Sequence, residues 1–296
     1  MAIHKKKRLA FCFFDKLLSA VCWLGGLGGI FLLIQVFGFT SFAIPSLSMA
    51  PALLPGDYIL VNKMIPGPRL FDLSASMRGE QVKIYRLPGV RKIQRDDIVV
   101  FHFPHPYTWE KLEMHILKYY VKRCVGLPGD TIGIGKGFYY VNGKRAALGN
   151  ENAQARLACK SKEEIASDVY RAFPQDSVLN WNIQDFGPLY IPKAGDTVRL
   201  DQTSYLVYKQ AIEWEQKDIL VHSDSVFLLH RRPLTSYCFR KNYYFMAGDE
   251  VENSQDSRYW GLLPEDFIVG KAWIIWKSRN KFNKEFRWER FFKLVN

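Results

Sequence analysis

The chain has 296 residues, 48% hydrophobic and 24% charged, which excludes a disordered polypeptide and leaves enough chain to bury a sizeable core. Its formal charge of +12 would suit nucleic acid, yet Lys and Arg are scattered and no zinc-finger or ribonucleoprotein pattern accompanies them, so nucleic acid is not expected as a partner. A cationic body beside anionic lipid accounts for the charge more simply, and the length exceeds that of a bare binding module.

In chain order, the first element is an apolar run. Residues 17–39 are 23 positions without a charge, including Trp23, Ile30, Phe31, Val36 and Phe37. At about 1.5 Å per residue they reach roughly 34 Å, enough to cross a hydrocarbon layer. His4, Lys5, Lys6, Lys7 and Arg8 precede the run, which predicts a cytoplasmic segment over 1–16, one crossing over 17–39 and an exported remainder. A cleavable targeting peptide begins the same way, and a buried globular helix passes the same length test. Two features oppose cleavage: the run exceeds a usual leader core, and its end leads straight into Ile44-Pro45-Ser46-Leu47-Ser48-Met49. Gly25 and Gly29 have the small-xxx-small spacing of helix pairs. Of five cysteines, Cys12 and Cys22 lie in or beside the anchor. Cys124, Cys159 and Cys238 would be exported, their odd number leaves one unpaired, and a Cys159–Cys238 bridge stays open.

Beyond the anchor the pattern turns to strands. Tyr58 to Val61 is a short apolar run opened by Pro55-Gly56-Asp57, and 62–95 reads as a long loop with short strands. Ile98 to Phe103 and Tyr119 to Val125 are β-prone runs stopped by Pro104 and by Leu127-Pro128-Gly129-Asp130. Phe138 to Val141 and Lys144 flank Asn142-Gly143, which predicts a two-residue hairpin turn. Residues 149–192 break the rhythm: Glu151 to Tyr170 is rich in helix formers and Asp176 to Pro188 reads as loop. Strand character returns at Thr197 to Leu200, Glu213 to Asp218 reads as helical, and Val226 to Leu229, Tyr243 to Ala247 and Phe267 to Trp276 read as strands. The expected fold is therefore mainly β: a transmembrane helix, then an antiparallel sheet body over 40–148 and 193–277. An α/β cap is inserted at 149–192, and a basic aromatic tail covers 278–296.

Four segments carry the chemistry: Ile44-Pro45-Ser46-Leu47-Ser48-Met49-Ala50-Pro51, then Asp97-Ile98-Val99-Val100-Phe101, then Tyr120-Val121-Lys122-Arg123-Cys124-Val125-Gly126-Leu127-Pro128-Gly129-Asp130, and finally Gly248-Asp249 with Asn253-Ser254-Gln255-Asp256-Ser257-Arg258. In this order the boxes resemble those of bacterial type I signal peptidases, over residues 42 to 273. The resemblance implies Ser48 as nucleophile, Lys122 as general base, and Ser46 with the Ser48 amide as oxyanion donors. It also implies that Ser254 orients the lysine and that Asp249, Asp256 and Arg258 are structural support. The family's usual Gly-Asp-Asn-Arg is Gly248-Asp249-Glu250-Val251 here, which alters the local hydrogen bonding.

The chemistry asks for such a pair, because a serine hydroxyl attacks poorly until a neighbouring base takes its proton. Lysine does this only when neutral, so its ammonium form has to be disfavoured by apolar surroundings, for which Tyr119, Tyr120 and Val121 are candidates. Loss of one oxyanion donor costs about 3 kcal/mol of transition-state stabilisation, so Ser46 should matter less than Ser48.

The resemblance further implies shallow pockets at Phe42, Ile44, Pro45, Met49, Leu53, Tyr120 and Val121, suited to small residues at −1 and −3 before the cut. The implied activity is a serine endopeptidase removing N-terminal signal peptides from exported preproteins, without metal or cofactor. The implied location is the bacterial cytoplasmic membrane with the body on the export side, and lipid and the secretion translocon are the implied neighbours. Alternatives are a specialised peptidase for few surface or pilin-like precursors, suggested by 149–192, and a noncatalytic secretion adaptor. The tail residues Arg287, Trp288, Phe291, Phe292 and Lys293 suit either the membrane interface or the body.

Overall fold

The computed structural model describes residues 2–72, 74, 75, 78, 80, 82–223, 226–281 and 283–295. The side chains of residues 2–15, and with them the basic cluster from His4 to Arg8 and Cys12, lie outside the described set. A helix, Ala2–Leu33, continues as a wider turn over Ile34–Gly38. Its apolar stretch, Lys16–Gly38, has a mean hydropathy of 2.2 and no buried residue in its core window, as a lipid-facing helix requires. The helix end is fastened to the body: the Gln35 carbonyl, orphaned at the terminus, accepts from Lys63 Nζ at 2.6 Å and Thr40 Oγ1 at 3.3 Å.

The chain then passes directly into a strand, Phe39–Ala43, which takes in Phe39, the last residue of the expected anchor, and the first residues of the expected sheet body. Its alternating residues pair with Asp57–Asn62, so Phe39 belongs to the sheet and not to the span. Among the described residues this sheet has eight antiparallel strands. The order is Phe39–Ala43, Asp57–Asn62, Ile268–Ser278, Ile98–His102, Tyr119–Gly126, Tyr243–Ala247 and Leu263–Pro264, with Lys293–Leu294 attached to Ile268–Ser278. The sheet curls until the Phe42 and Tyr119 rings meet at 4.7 Å, although their strands are not paired. Ile98–His102 is buried at every position, matching its unbroken apolar run, whereas Asp57–Asn62 alternates. One apolar cluster, including Ile44, Met49, Leu53, Ile59, Val100 and Ile275, fills the hollow of the curl.

A smaller sheet, Phe186–Tyr190, Thr131–Gly135, Phe138–Val141 and Lys144–Arg145, packs with the helix Gln202–Gln216 around a second core. Asn142 and Gly143 both have positive φ, 52° and 77°, the requirement of the tight turn expected between Phe138–Val141 and Lys144–Arg145. The 149–192 block supplies helix Glu151–Ala158, and also the strand Phe186–Tyr190 where the sequence suggests loop. This strand pairs with Thr131–Gly135, upstream of the block, so the smaller sheet draws strands from both sides of the 149 boundary. The long helix Gln202–Gln216 also exceeds the expected 213–218. Its β-prone start, Tyr205 to Tyr208, is overridden by an Asp201–Ser204 capping box and by burial of Val207, Tyr208, Ala211 and Ile212.

The tail packs on the body. Arg290 donates to buried Asp57 at 2.6 Å, and Asp57 also accepts from Ser278 Oγ at 2.6 Å and Leu54 N at 2.8 Å. Asp57 thereby joins the turn bearing Ser48, the long strand and the tail. Trp288 and Phe292, each 71% exposed, face outward from the same tail. Cys22, Cys124, Cys159 and Cys238 are free thiols, so the Cys159–Cys238 bridge is not formed.

Candidate active site

Ser48 lies in the 44–56 connection between the first two strands of the large sheet. The connection is closed by Ile44 N to Asp57 O at 2.8 Å and Gly56 N to Ile44 O at 2.9 Å. Gly56 adopts φ +90°, and a Cβ there would stand 1.8 Å from Arg279 O, so only glycine closes the loop this tightly. Met49 and Leu53, 1% and 0% exposed, plug the turn into the core and hold Ser48 at its surface.

Lys122 comes from the middle of Tyr119–Gly126, opposite Val99 in the register. Its amine reaches across the curl to within 2.6 Å of Ser48 Oγ, and Ser46 Oγ is 3.3 Å from Ser48 Oγ on the other side. Among the described residues nothing accepts the Ser48 amide N–H, which leaves that donor available. Lys122 is 4% exposed, and burial is the main cause that lowers its pKa from 10.5 to about 8.

Neighbouring charges act on the lysine in opposition: Asp256 and Asp249 raise its pKa, and Arg258 lowers it. Each carboxylate already has its own guanidinium. Arg258 Nε and Nη2 donate to Asp256 at 2.8 and 2.7 Å, and Arg123 Nε and Nη2 donate to Asp249 at 2.7 and 2.8 Å. These forked pairs keep the acids from capturing the lysine as a counter-ion, so burial decides its state. Asp256 also accepts from the Gly248 amide at 2.9 Å and is held ionised by Arg258 despite complete burial. Arg123 adjoins Lys122 in the same box, and the residues alone do not show its pairing with Asp249.

Ser254 is buried but does not bond to Lys122 as the resemblance implies. Its hydroxyl lies near enough to Asp256 to favour the ionised carboxylate, yet outside hydrogen-bond geometry with any described residue. Gly248 explains the packing. A Cβ on Gly248 would stand 2.1 Å from Ser254 Oγ and 2.6 Å from the Ser48 carbonyl, which itself accepts from Glu250 N at 3.1 Å. We therefore expect Gly248→Ala to displace Ser48 and Ser254 together and to cut kcat about 100-fold with the fold intact. Steady-state kinetics beside circular dichroism checks this, and wild-type kcat would contradict it.

The seven pocket candidates divide. Phe42, Pro45, Tyr120 and Val121 present surface near Ser48, whereas Ile44, Met49 and Leu53 are buried at 5%, 1% and 0% exposure. The buried three support the floor from beneath, because the Ser48 turn needs an apolar plug more than an open wall. Tyr120 donates to Gln255 Oε1 at 2.7 Å and stacks on Phe103 at 4.4 Å. No signal in the sequence pointed to Gln255.

A family model of signal peptidases, peptidase S26, matches residues 17–277. The chain belongs to the signal peptidase family, peptidase S26. The signal peptidase I of Buchnera aphidicola subsp. Schizaphis graminum is 30% identical over 265 residues, 88% of this chain and 74% of that one. The signal peptidase I of Pseudomonas aeruginosa is 29% identical over 259 residues, covering 84% and 68%. A crystal structure of a signal peptidase I from Enterococcus faecalis V583 matches at 21% identity over 62% of this chain and 99% of that one, with a TM-score of 0.31. The S26 match spans the Ser48, Lys122 and Ser254 boxes and most of the apolar helix, and leaves out the tail beyond 277.

Proposed function

We propose that this signal peptidase is a membrane-anchored serine endopeptidase in which Ser48 attacks and Lys122 takes its proton, cutting after small residues at −1 and −3. The observation that carries the reading is the 2.6 Å approach of a buried, pKa-lowered amine to a serine hydroxyl. At pH 7 an amine of pKa about 8 is neutral in about one molecule in ten, against about one in three thousand at 10.5.

In the proposed cycle neutral Lys122 accepts the Ser48 proton as the oxygen adds to the scissile carbonyl. The Ser48 amide and the Ser46 hydroxyl donate to the oxyanion. The lysine ammonium then protonates the departing amine, and the acyl group stays on Ser48. Neutral once more, Lys122 activates a water that releases the signal peptide. Asp249, Asp256 and Arg258 act through the lysine's surroundings, and Ser254 holds the space beside Gly248. The scheme asks for no metal or cofactor. Neither the adaptor nor the restricted-precursor alternative is favoured beside relatives that are themselves signal peptidases.

The test is a pair of synthetic precursors with Ala-x-Ala or with Phe at −1. The first is expected to be cut cleanly after its second Ala and the second about 5- to 150-fold more slowly, since overfilling a tight pocket costs about 1–3 kcal/mol. Equal cleavage would defeat the small-residue rule.

The helix Lys16–Gly38 supports one crossing, with residues 1–16 cytoplasmic and the body exported. Ser48 begins only a short strand and turn beyond that helix, which keeps it near the lipid surface where a tethered precursor offers its cleavage site. Trp273, Trp276 and Trp288 are exposed beside basic Arg279, Lys284 and Lys293, as at a membrane interface, so lipid contact and proximity to the translocon belong to the same reading. We divide the exported part into the large-sheet body, interrupted near 149–192, and the tail. In sealed inside-out vesicles the body is expected to resist added protease, and digestion of it there would reverse the orientation.

A further inference from the structure

A cleft of about 950 Å³ lies between the 252–255 loop, the helix Gln202–Gln216 and the 168–176 segment, at the upper end of the volume range of small-ligand sites. One end is formed by Asn253, Ser254 and Gln255, so it opens beside the dyad, where Ser254 and the Ser48 carbonyl pack on Gly248. Trp260, 2% exposed, also lines the cleft, and its Nε1 lacks a partner among the described residues, while the buried Ser254 hydroxyl lies beside Asp256. A buried donor left unpaired is costly unless a ligand satisfies it.

The cleft is separate from the surface expected to hold the signal-peptide side. None of Phe42, Ile44, Pro45 or Val121 borders it, and the two regions adjoin where Tyr120 donates to Gln255 and where Ser254 packs beside Ser48. Its lining departs from the charge of the chain as a whole. Glu110, Asp168, Asp176 and Glu252 face it with Lys209 as the only lining cation among the described residues, although the protein carries +12. Glu252 is paired with Lys160, and Asp176 accepts from Val178 N. Among the described residues Glu110 and Asp168 have no cationic partner. Trp109, Tyr205 and Tyr259 supply aromatic faces between the acids.

We infer that this cleft receives the precursor segment that follows the cut and selects basic over acidic residues there; the inference rests on the peptidase reading above. An extended chain with its small residues against Phe42 and Val121 must leave Ser48 in the other direction, where the cleft begins. Carboxylates and aromatic faces together favour Lys or Arg side chains, and after acylation they also meet the new amino group of the leaving segment.

The experiment uses the full-length protein in lipid and three precursors identical up to the cut, with Lys, Gln or Glu at positions +2 to +4. The Lys precursor should exceed the Glu precursor in kcat/KM by about ten-fold at low salt, and the ratio should shrink as salt is raised. In Glu110→Gln/Asp168→Asn/Asp176→Asn protein the ratio should fall to about two or less. Glu163→Gln, at an exposed carboxylate outside the cleft, should leave the ratio as in wild type. A ratio near one in wild type, or one unchanged by the triple substitution, would overturn the inference. Failure to cut any of the three would instead remove the peptidase reading, and the inference with it.

Discussion

Ser48→Ala protein will fold, insert and fail to cleave, with kcat on an Ala-x-Ala precursor reduced by about 10⁵–10⁶-fold, the scale of losing the nucleophile in a serine protease. The substitution removes one oxygen from a half-buried side chain whose contacts are the Lys122 amine and the Ser46 hydroxyl. The apolar plug of Met49 and Leu53 beneath the turn is untouched. Two lost hydrogen bonds at about 1 kcal/mol each should move thermal unfolding by no more than several degrees. A large loss of turnover in a protein of nearly unchanged stability can then be assigned to chemistry. Near-wild-type turnover by rigorously purified S48A would remove Ser48 from the mechanism.

Lys122→Arg should be as inactive, losing at least about 10⁴-fold in kcat/KM, although charge and length are roughly kept. A guanidinium stays protonated at any accessible pH and cannot accept the Ser48 proton. It would also find no unclaimed acid, because Asp256 and Asp249 are each held by two bonds from Arg258 and Arg123. Membrane insertion and unfolding are measured beside the kinetics, so that a folded, inactive K122R is distinguished from a misfolded one. A folded K122R with near-wild-type efficiency would defeat the dyad.

What the sequence made legible was what strong local patterns encode. Ile98–Phe101 and Tyr243–Ala247 are unbroken apolar runs because both faces of those strands are buried, and Asn142-Gly143 suits only a turn of positive φ. At the start of the Phe39–Ala43 strand only Phe39 was misplaced, because as a single apolar residue at the end of the run it reads as anchor until pairing with Asn62 puts it in the sheet. Of the helix Gln202–Gln216 only the polar end, from Glu213, was legible, because its start is set by burial of Val207, Tyr208, Ala211 and Ile212 against the second core. At the site, the boxes placed Ser48 and Lys122 on separate segments, but no spacing rule reports the 2.6 Å distance between them. Nor does any rule give the forked Arg123–Asp249 pair, since its partners stand 126 residues apart. The buried state of Met49 and Leu53 likewise follows from the curl of the sheet, which brings the turn over the core.

The pH dependence of kcat/KM on one Ala-x-Ala precursor tests the central claim most directly. Burial lowers the Lys122 pKa to about 8, and in the proposed mechanism the active form is the neutral one. Activity should therefore rise with pH along a single-proton limb centred near 8 and level off above it, until the fold or another group intervenes. A limb centred near 6.5, where an ordinary histidine titrates, or a flat profile from about pH 6 to 10, would contradict the assignment of Lys122 as the base.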